Sequence, residues 1–239
     1  MTDFLFALPL RPCAEYNTTQ RMKQRASIPE PGDQLERWGN SLSSWFGRTI
    51  LHWWGWRIEP GPPNLSKFVA VVAPHTSNVD FFVGMAAILA MRMRAHWMAK
   101  HTLFRPAFFG RFLESLGGIP IDRTASSGVV EQMSQRFREA ERLVVGVTPE
   151  ATRKRNPRWK TGFHHIAKGA GVPVVLVAFD YREKRLAFGP VMQPDDLAAD
   201  MQCISDFFRD VTPKRAENFA LPDLEGQGRD VATEAPSQS

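Results

Sequence analysis

Two short stretches of this chain concentrate side chains able to do acid–base chemistry. In Pro74-His75-Thr76-Ser77-Asn78-Val79-Asp80 an aspartate follows a histidine by five residues. A histidine of ordinary pKa, ~6.5, accepts a proton from an alcohol near neutral pH, and a carboxylate on its other nitrogen fixes the tautomer and stabilises the imidazolium. No nucleophilic Ser or Cys is needed if the substrate's own hydroxyl attacks. The plainer reading stands beside this one. Ser77-Asn78-Val79-Asp80 also fits a capping box, in which Asp80 serves a helix N-terminus and His75 is an ordinary loop residue.

The second stretch, Thr148-Pro149-Glu150-Ala151-Thr152-Arg153, is followed by Lys154, Arg155, Arg158 and Lys160. Guanidinium groups grip phosphate oxygens in pairs, and a neighbouring carboxylate can orient an arginine or accept from a substrate hydroxyl. A third fragment, Gly117-Gly118-Ile119-Pro120-Ile121-Asp122-Arg123, puts Arg123 at the end of a short extended run. Taken singly, arginines are more often solvated than functional.

The elements that must position these residues alternate along the chain. Lys67–Ala73 reads as a buried strand, Ser77–Arg92 as a helix, Ala95–Ala99 as a short strand and Pro106–Leu116 as a helix closed by glycines. An extended piece at Ile119–Asp122 comes next, then a helix over Val129–Arg142 with Val130, Met133, Phe137 and Ala140 inward. Strands at Leu143–Val147, Val172–Phe179 and Arg185–Phe188, a helix at Gly162–Gly169 and a last helix carrying Leu197, Met201, Ile204 and Phe208 complete the pattern. Strand and helix taking turns predicts an α/β fold: a single domain with a largely parallel central sheet flanked by helices. In such sheets ligands sit beyond the carboxyl ends of the strands, where the first two stretches fall.

Ahead of this domain, Leu35, Trp38, Leu42, Trp45, Phe46, Ile50, Trp53 and Trp54 recur at helical spacing, which predicts an amphipathic, tryptophan-rich helix over 34–56. Indole rings favour the water–lipid interface, so the helix is a candidate for membrane docking; packing on the protein's own core is the alternative. The organisation expected is a flexible segment at 1–33, the helix at 34–56, the α/β domain at 57–212 and a flexible tail at 213–239. The net charge of +5 is concentrated, with 15 Lys/Arg against 6 Asp/Glu between Arg92 and Lys168, which suits an anionic partner or a solvated face. Cys13 and Cys203 are too few for a disulfide framework, and a reducing, cytosolic setting is the simplest expectation. No apolar run approaches the ~20 residues of a spanning helix. His164 and His165 are neighbours and point apart on a helix, while His52, His96 and His101 lack ligand spacing, so no metal is expected.

The three functional segments, in this order and at these separations, resemble the sequence blocks of the glycerol-phosphate and lysophosphatidate acyltransferase family. The His75–Asp80 segment is similar to its first block, Gly118 to Arg123 to its second, Pro149 to Arg153 to its third, usually Glu-Gly-Thr-Arg, and Val172-Pro173-Val174-Val175 to its fourth. The run from Met98-Ala99-Lys100 through Phe109-Gly110 is similar to the usual approach to the second block, and the likeness covers Trp54 to Tyr181. Ala151, Pro120 and Leu176 depart from the family pattern.

The resemblance implies transfer of a fatty acyl group from acyl-coenzyme A or acyl carrier protein to the hydroxyl of a lysophospholipid such as 1-acyl-glycerol-3-phosphate. It implies His75 as general base oriented by Asp80, with Arg123, Glu150, Arg153 and Lys100 at the acceptor's polar head. It implies no bound cofactor, a lipid acceptor, a thioester donor and a membrane surface as partners, no nucleic acid, and a cytoplasmic location on the inner face of the membrane. Two other readings stay open: a phosphate-free acceptor such as lyso-ornithine lipid, and a non-catalytic lipid- or nucleic-acid-binding protein.

Overall fold

The computed structural model describes residues 28–121 and 128–225. Seven strands form one sheet: β1 (Arg57–Ile58), β2 (Lys67–Ala73), β3 (His96–Lys100), β4 (Gly118–Ile121), β5 (Leu143–Val147), β6 (Val174–Asp180) and β7 (Arg185–Met192). Their order across the sheet is β1-β7-β6-β2-β5-β3-β4. Every pair is parallel except the β6–β7 hairpin, so the expected α/β class with a largely parallel sheet is the one observed. Pro120 departs from the family pattern at little cost, because β4 is an edge strand and its missing N–H removes no central ladder bond.

Each face of the sheet has its own core. Val69, Val71, Leu176 and Ala178 face a cluster completed by α4 (Gly128–Glu139), α5 (Gly162–Ala170) and α6 (Leu197–Phe208), with Met133, Phe137, Phe163 and Phe208 inside it. Phe68, Ala70, Val144 and Val177 face a second cluster covered by α1 (Ser41–Trp54) and α2 (Asn78–Met91). The strands are buried on both faces, which is why they read as continuous apolar runs. In α4 it is Val129 that packs on the core, whereas Val130 is exposed, a one-residue correction to the expected inward face.

The amphipathic helix is shorter than its periodicity suggested. Gly39 adopts φ +77, Asn40 caps the N-terminus in a capping box with Ser43, and α1 begins only at Ser41. Leu35, though part of the same apolar rhythm, is fully buried from a non-helical segment. The helix turns Ser44, Gly47 and Leu51 inward and leaves Leu42, Trp45, Phe46, Trp53 and Trp54 exposed. Packing on the protein's own core therefore does not account for those aromatic residues. Gly47 is required by the crossing of α1 over α2, since a Cβ there would lie 2.6 Å from Ala86 O and Ala90 N.

A short helical turn at His101–Phe104, unmarked in the sequence pattern, precedes α3 (Ala107–Ser115), whose Phe108, Phe109 and Phe112 are exposed. The expected tail also needs correction over 213–225. Trp159 Nε1 donates to Ala220 O at 3.0 Å, and Phe219, Leu221 and Leu224 pack on the core. Scattered apolar residues without helical or strand period are enough to dock an irregular segment, which periodicity does not detect. Of the segments expected to be flexible, 1–33 and 213–239, residues 1–27 and 226–239 lie outside the described residues, as does Arg123. Among the described residues no helix is long and apolar enough to cross a membrane.

Candidate active site

The strands β5, β2 and β6 are neighbours and parallel, so their carboxyl ends open at one edge of the sheet. The residues just beyond those ends meet there: His75 after β2, Glu150 after β5 and Tyr181 after β6. Segments separated by 75 and 101 residues become adjacent through this strand order alone.

His75 Nδ1 lies 3.5 Å from Asp80 Oδ2. Asp80 is the third residue of α2, and its carboxylate closes the capping box with Ser77. Oδ2 accepts from the backbone N–H groups of Thr76 and Ser77 at 2.8 and 2.7 Å, and Oδ1 accepts from Ser77 Oγ at 3.2 Å and from the phenol of Tyr181. The capping box expected of Asp80 is formed, and the same carboxylate also stands beside the imidazole. It caps the helix and faces the imidazole, because a carboxylate has two oxygens and enough lone pairs for both tasks. Asp80 is buried, while the His75 side chain keeps 18% exposure, so the imidazole is accessible and its partner is not.

Burial pushes the His75 pKa below its ordinary value; the Asp80 charge opposes this and the Arg153 charge adds to it. The shift favours the neutral imidazole, the form that accepts a proton. Glu150 is buried, and both its oxygens accept from the His75 backbone N–H at 3.0 Å. Its burial, with the Asp80 charge as a smaller contribution, raises its pKa to about 7 despite that hydrogen bond. Glu150 thus holds the loop that carries His75.

Ala151 adopts φ +56, the left-handed conformation for which glycine at this position is suited. The turn is made regardless, with Ala151 N donating to Thr148 O at 3.1 Å, and beyond it Asn156 Nδ2 bonds Glu150 O and Arg158 O at 3.0 and 3.1 Å. Arg153, Lys154, Arg155, Arg158 and Lys160 are exposed on this loop, and only Arg153 has a charge felt at His75. Lys100 is the last residue of β3.

An apolar cavity of about 160 Å³ lies between α2 and the sheet. His75, Asp80 and Phe81 line it at the level of the strands' carboxyl ends, and Met91 and Met93 line it at the other. Ala70, Gly84, Ala87 and Gly146 make the space, since side chains this small leave the middle of the helix–sheet interface unfilled.

Of the residues that sequence reasoning singled out, His75, Asp80 and Glu150 are brought together and Arg153 lies within electrostatic reach. Tyr181 and Thr76 were missed. Tyr181 stands one residue beyond the carboxyl end of β6, so the rule that selected His75 and Glu150 also selects it. Thr76 is buried and its hydroxyl accepts from Arg215 N at 3.3 Å, a contact 139 residues long that no local pattern signals.

Residues 62–180 match the family model described as Acyltransferase. A 1-acyl-sn-glycerol-3-phosphate acyltransferase of Haemophilus influenzae is 30% identical over 150 residues, which cover 60% of this chain, and the chain spans 58% of the length of that relative. The crystal structure of the 1-acyl-sn-glycerophosphate acyltransferase from Thermotoga maritima aligns over 82% of this chain and 80% of its own, with a TM-score of 0.47 and 16% identity.

Proposed function

This chain belongs to the acyltransferase family, and from that premise we propose that it moves a fatty acyl group from a thioester donor to the hydroxyl of a lysophospholipid such as 1-acyl-glycerol-3-phosphate. The observation that carries the reading is the His75–Asp80 pair at one end of an apolar cavity. A base beside a space suited to methylene groups fits a reaction between a lipid chain and an alcohol.

Asp80 orients His75, and His75 takes the proton from the acceptor hydroxyl as that oxygen attacks the thioester carbonyl. Collapse of the tetrahedral intermediate releases the thiolate, which leaves with the proton that His75 carries. The donor is an acyl-coenzyme A or an acyl carrier protein thioester, and no bound cofactor takes part. Arg153 with Lys100 and Arg123 holds the acceptor's phosphate, supported by the basic loop that follows Glu150. Glu150 contributes by fixing the His75 backbone.

The protein works at the inner face of the membrane as a peripheral enzyme. Leu42, Trp45, Phe46 and Trp53 on α1, Phe82 at the start of α2 and Phe108 and Phe112 on α3 are exposed apolar side chains of the kind that enter the headgroup boundary. Basic residues beside them, among them Arg105 and Arg111, suit an anionic leaflet.

The test is product formation from lysophosphatidate and palmitoyl-coenzyme A or palmitoyl-acyl carrier protein, in micelles, by wild type and His75→Ala. Transfer lost in the variant supports the reading. Transfer to a phosphate-free lyso-lipid alone would move the acceptor to that class. Lipid binding without any product would replace the enzyme with a binding protein.

A further inference from the structure

Asp80 poses a question that a capping box does not answer. Three of its four donors, Thr76 N, Ser77 N and Ser77 Oγ, belong to the same local turn and accompany helix capping generally. The fourth, the phenol of Tyr181, arrives from the carboxyl end of β6, 101 residues further along the chain. Of the hydrogen bonds to this carboxylate, it is the one that comes from outside the turn that caps α2.

We propose that Tyr181 is a positioning residue of the acyl-transfer site, whose O–H holds Asp80 Oδ1 and so keeps Oδ2 turned toward His75 Nδ1. The inference rests on the acyl-transfer reading for its kinetic consequence and on geometry alone for its structural one. The family match ends at residue 180, so Tyr181 lies outside it.

Tyr181 is itself held on three sides. Tyr181 N donates to Thr212 O at 2.8 Å, its ring meets Trp56 edge to face with centroids 4.9 Å apart, and Lys214 Nζ stands 5.8 Å from the ring centroid. Trp56 is buried and lies just past the end of α1, with its N–H on Leu51 O at 2.8 Å. The helix that carries the exposed tryptophans is thus one residue contact away from the group that steadies the catalytic carboxylate. Burial, with Asp80 beside it, pushes the phenol's pKa well above its ordinary value, so Tyr181 stays a donor throughout any working range of pH.

Tyr181→Phe removes the O–H and leaves the ring on Trp56. Without that donor Asp80 keeps more of its charge for the imidazole, so the variant shifts the His75 titration upward. Besides Asp80, the ionisable groups acting on or bonded to His75 are Arg153 and Glu150, with Lys214 over the Tyr181 ring, and the variant changes none of them. The opposite perturbation is available because Tyr16 and Tyr181 are the chain's two tyrosines. Biosynthetic 3-fluorotyrosine in a Tyr16→Phe background makes the phenol at 181 a stronger acid and a stronger donor, and shifts the His75 titration downward.

The His75 midpoint is read by imidazole NMR on the full chain without substrate, its resonance assigned by loss in His75→Ala. Expected are midpoints moving in opposite directions for the two replacements. With active wild type, Tyr181→Phe lowers kcat by about tenfold, the size of a lost hydrogen bond to a charged group, with KM within about twofold. Unmoved midpoints in both proteins overturn the inference, as does a lower melting temperature with kcat per folded molecule unchanged. An enzyme inactive on every acceptor would overturn the proposed function instead, and the two midpoints would still decide the role of Tyr181.

Discussion

Among the described residues two histidines face aspartates, and the tighter of the two pairs lies away from the cavity. His164 Nε2 lies 2.8 Å from Asp200 Oδ2, against 3.5 Å between His75 and Asp80. The His164 side chain is 4% exposed, its Nδ1 is buried without a hydrogen bond, and the pair joins α5 to α6 on the face away from the cavity. His75, by contrast, lines the cavity and stands at the edge where three strands end. Distance between the partners does not separate a pair placed for the proposed acyl transfer from a structural one. Access for a substrate does, together with donors that hold the carboxylate from outside its own turn.

The sharpest way to break this comparison is to disable each pair in turn. His75→Ala is expected to lower acyl transfer by about 10³-fold, the usual worth of a general base, with the melting temperature little changed. Asp200→Asn is expected to do the reverse: it weakens a buried charge-assisted hydrogen bond at a cost of about 2 kcal/mol, with kcat per folded molecule unchanged. Chemical denaturation and steady-state kinetics on both variants would expose the assignment as wrong if the effects came out exchanged.

The pH dependence sharpens the same contrast. Because the folded pKa of His75 is depressed, the acid limb of kcat/KM should fall below the ordinary histidine value of ~6.5. Glu150 acts in the opposite sense on stability. Its folded pKa is raised from 4.5 to about 7, so between those values the native state binds more protons than the unfolded chain, and this contribution to stability is lost as pH rises through the window. Glu150→Gln should flatten that slope in unfolding curves taken across it, while variants of the His164–Asp200 pair should leave it in place.

The smallest expected effect concerns the turn beside the active pair. Ala151 at φ +56 stores strain that glycine does not, so Ala151→Gly should raise unfolding free energy by about 1 kcal/mol and leave the rate of transfer near that of wild type. A loss of stability would show that the Ala151 methyl group contributes packing that outweighs the strain.

Much of this architecture is legible in the order of residues. The bounds of β2 and β5 come from their unbroken apolar runs, and α2 from its Ser77 cap and the Arg92 stop, because these signals act within a few residues. The limits of α1 are harder to read, since apolar periodicity continues from Leu35 through a segment that Gly39 and Asn40 take out of the helix. The hydrophobic rhythm reports which side chains are buried or grouped, and only the caps report where the helix begins. His75, Asp80 and Glu150 could be named as candidates because residue type and position after a strand are sequence properties.

What the sequence by itself determined, then, is the alternation of strands and helices and the composition of the loops at the strands' carboxyl ends. Tertiary structure alone decided that β6 and β5 flank β2, and therefore that Tyr181 reaches Asp80 across 101 residues, Glu150 reaches His75 across 75, and Arg215 reaches Thr76 across 139. It also decided which His–Asp pair faces a cavity. Local propensities extend over one or two turns of chain, whereas strand order is set by how whole apolar faces are covered, and that is a property of the assembled sheet.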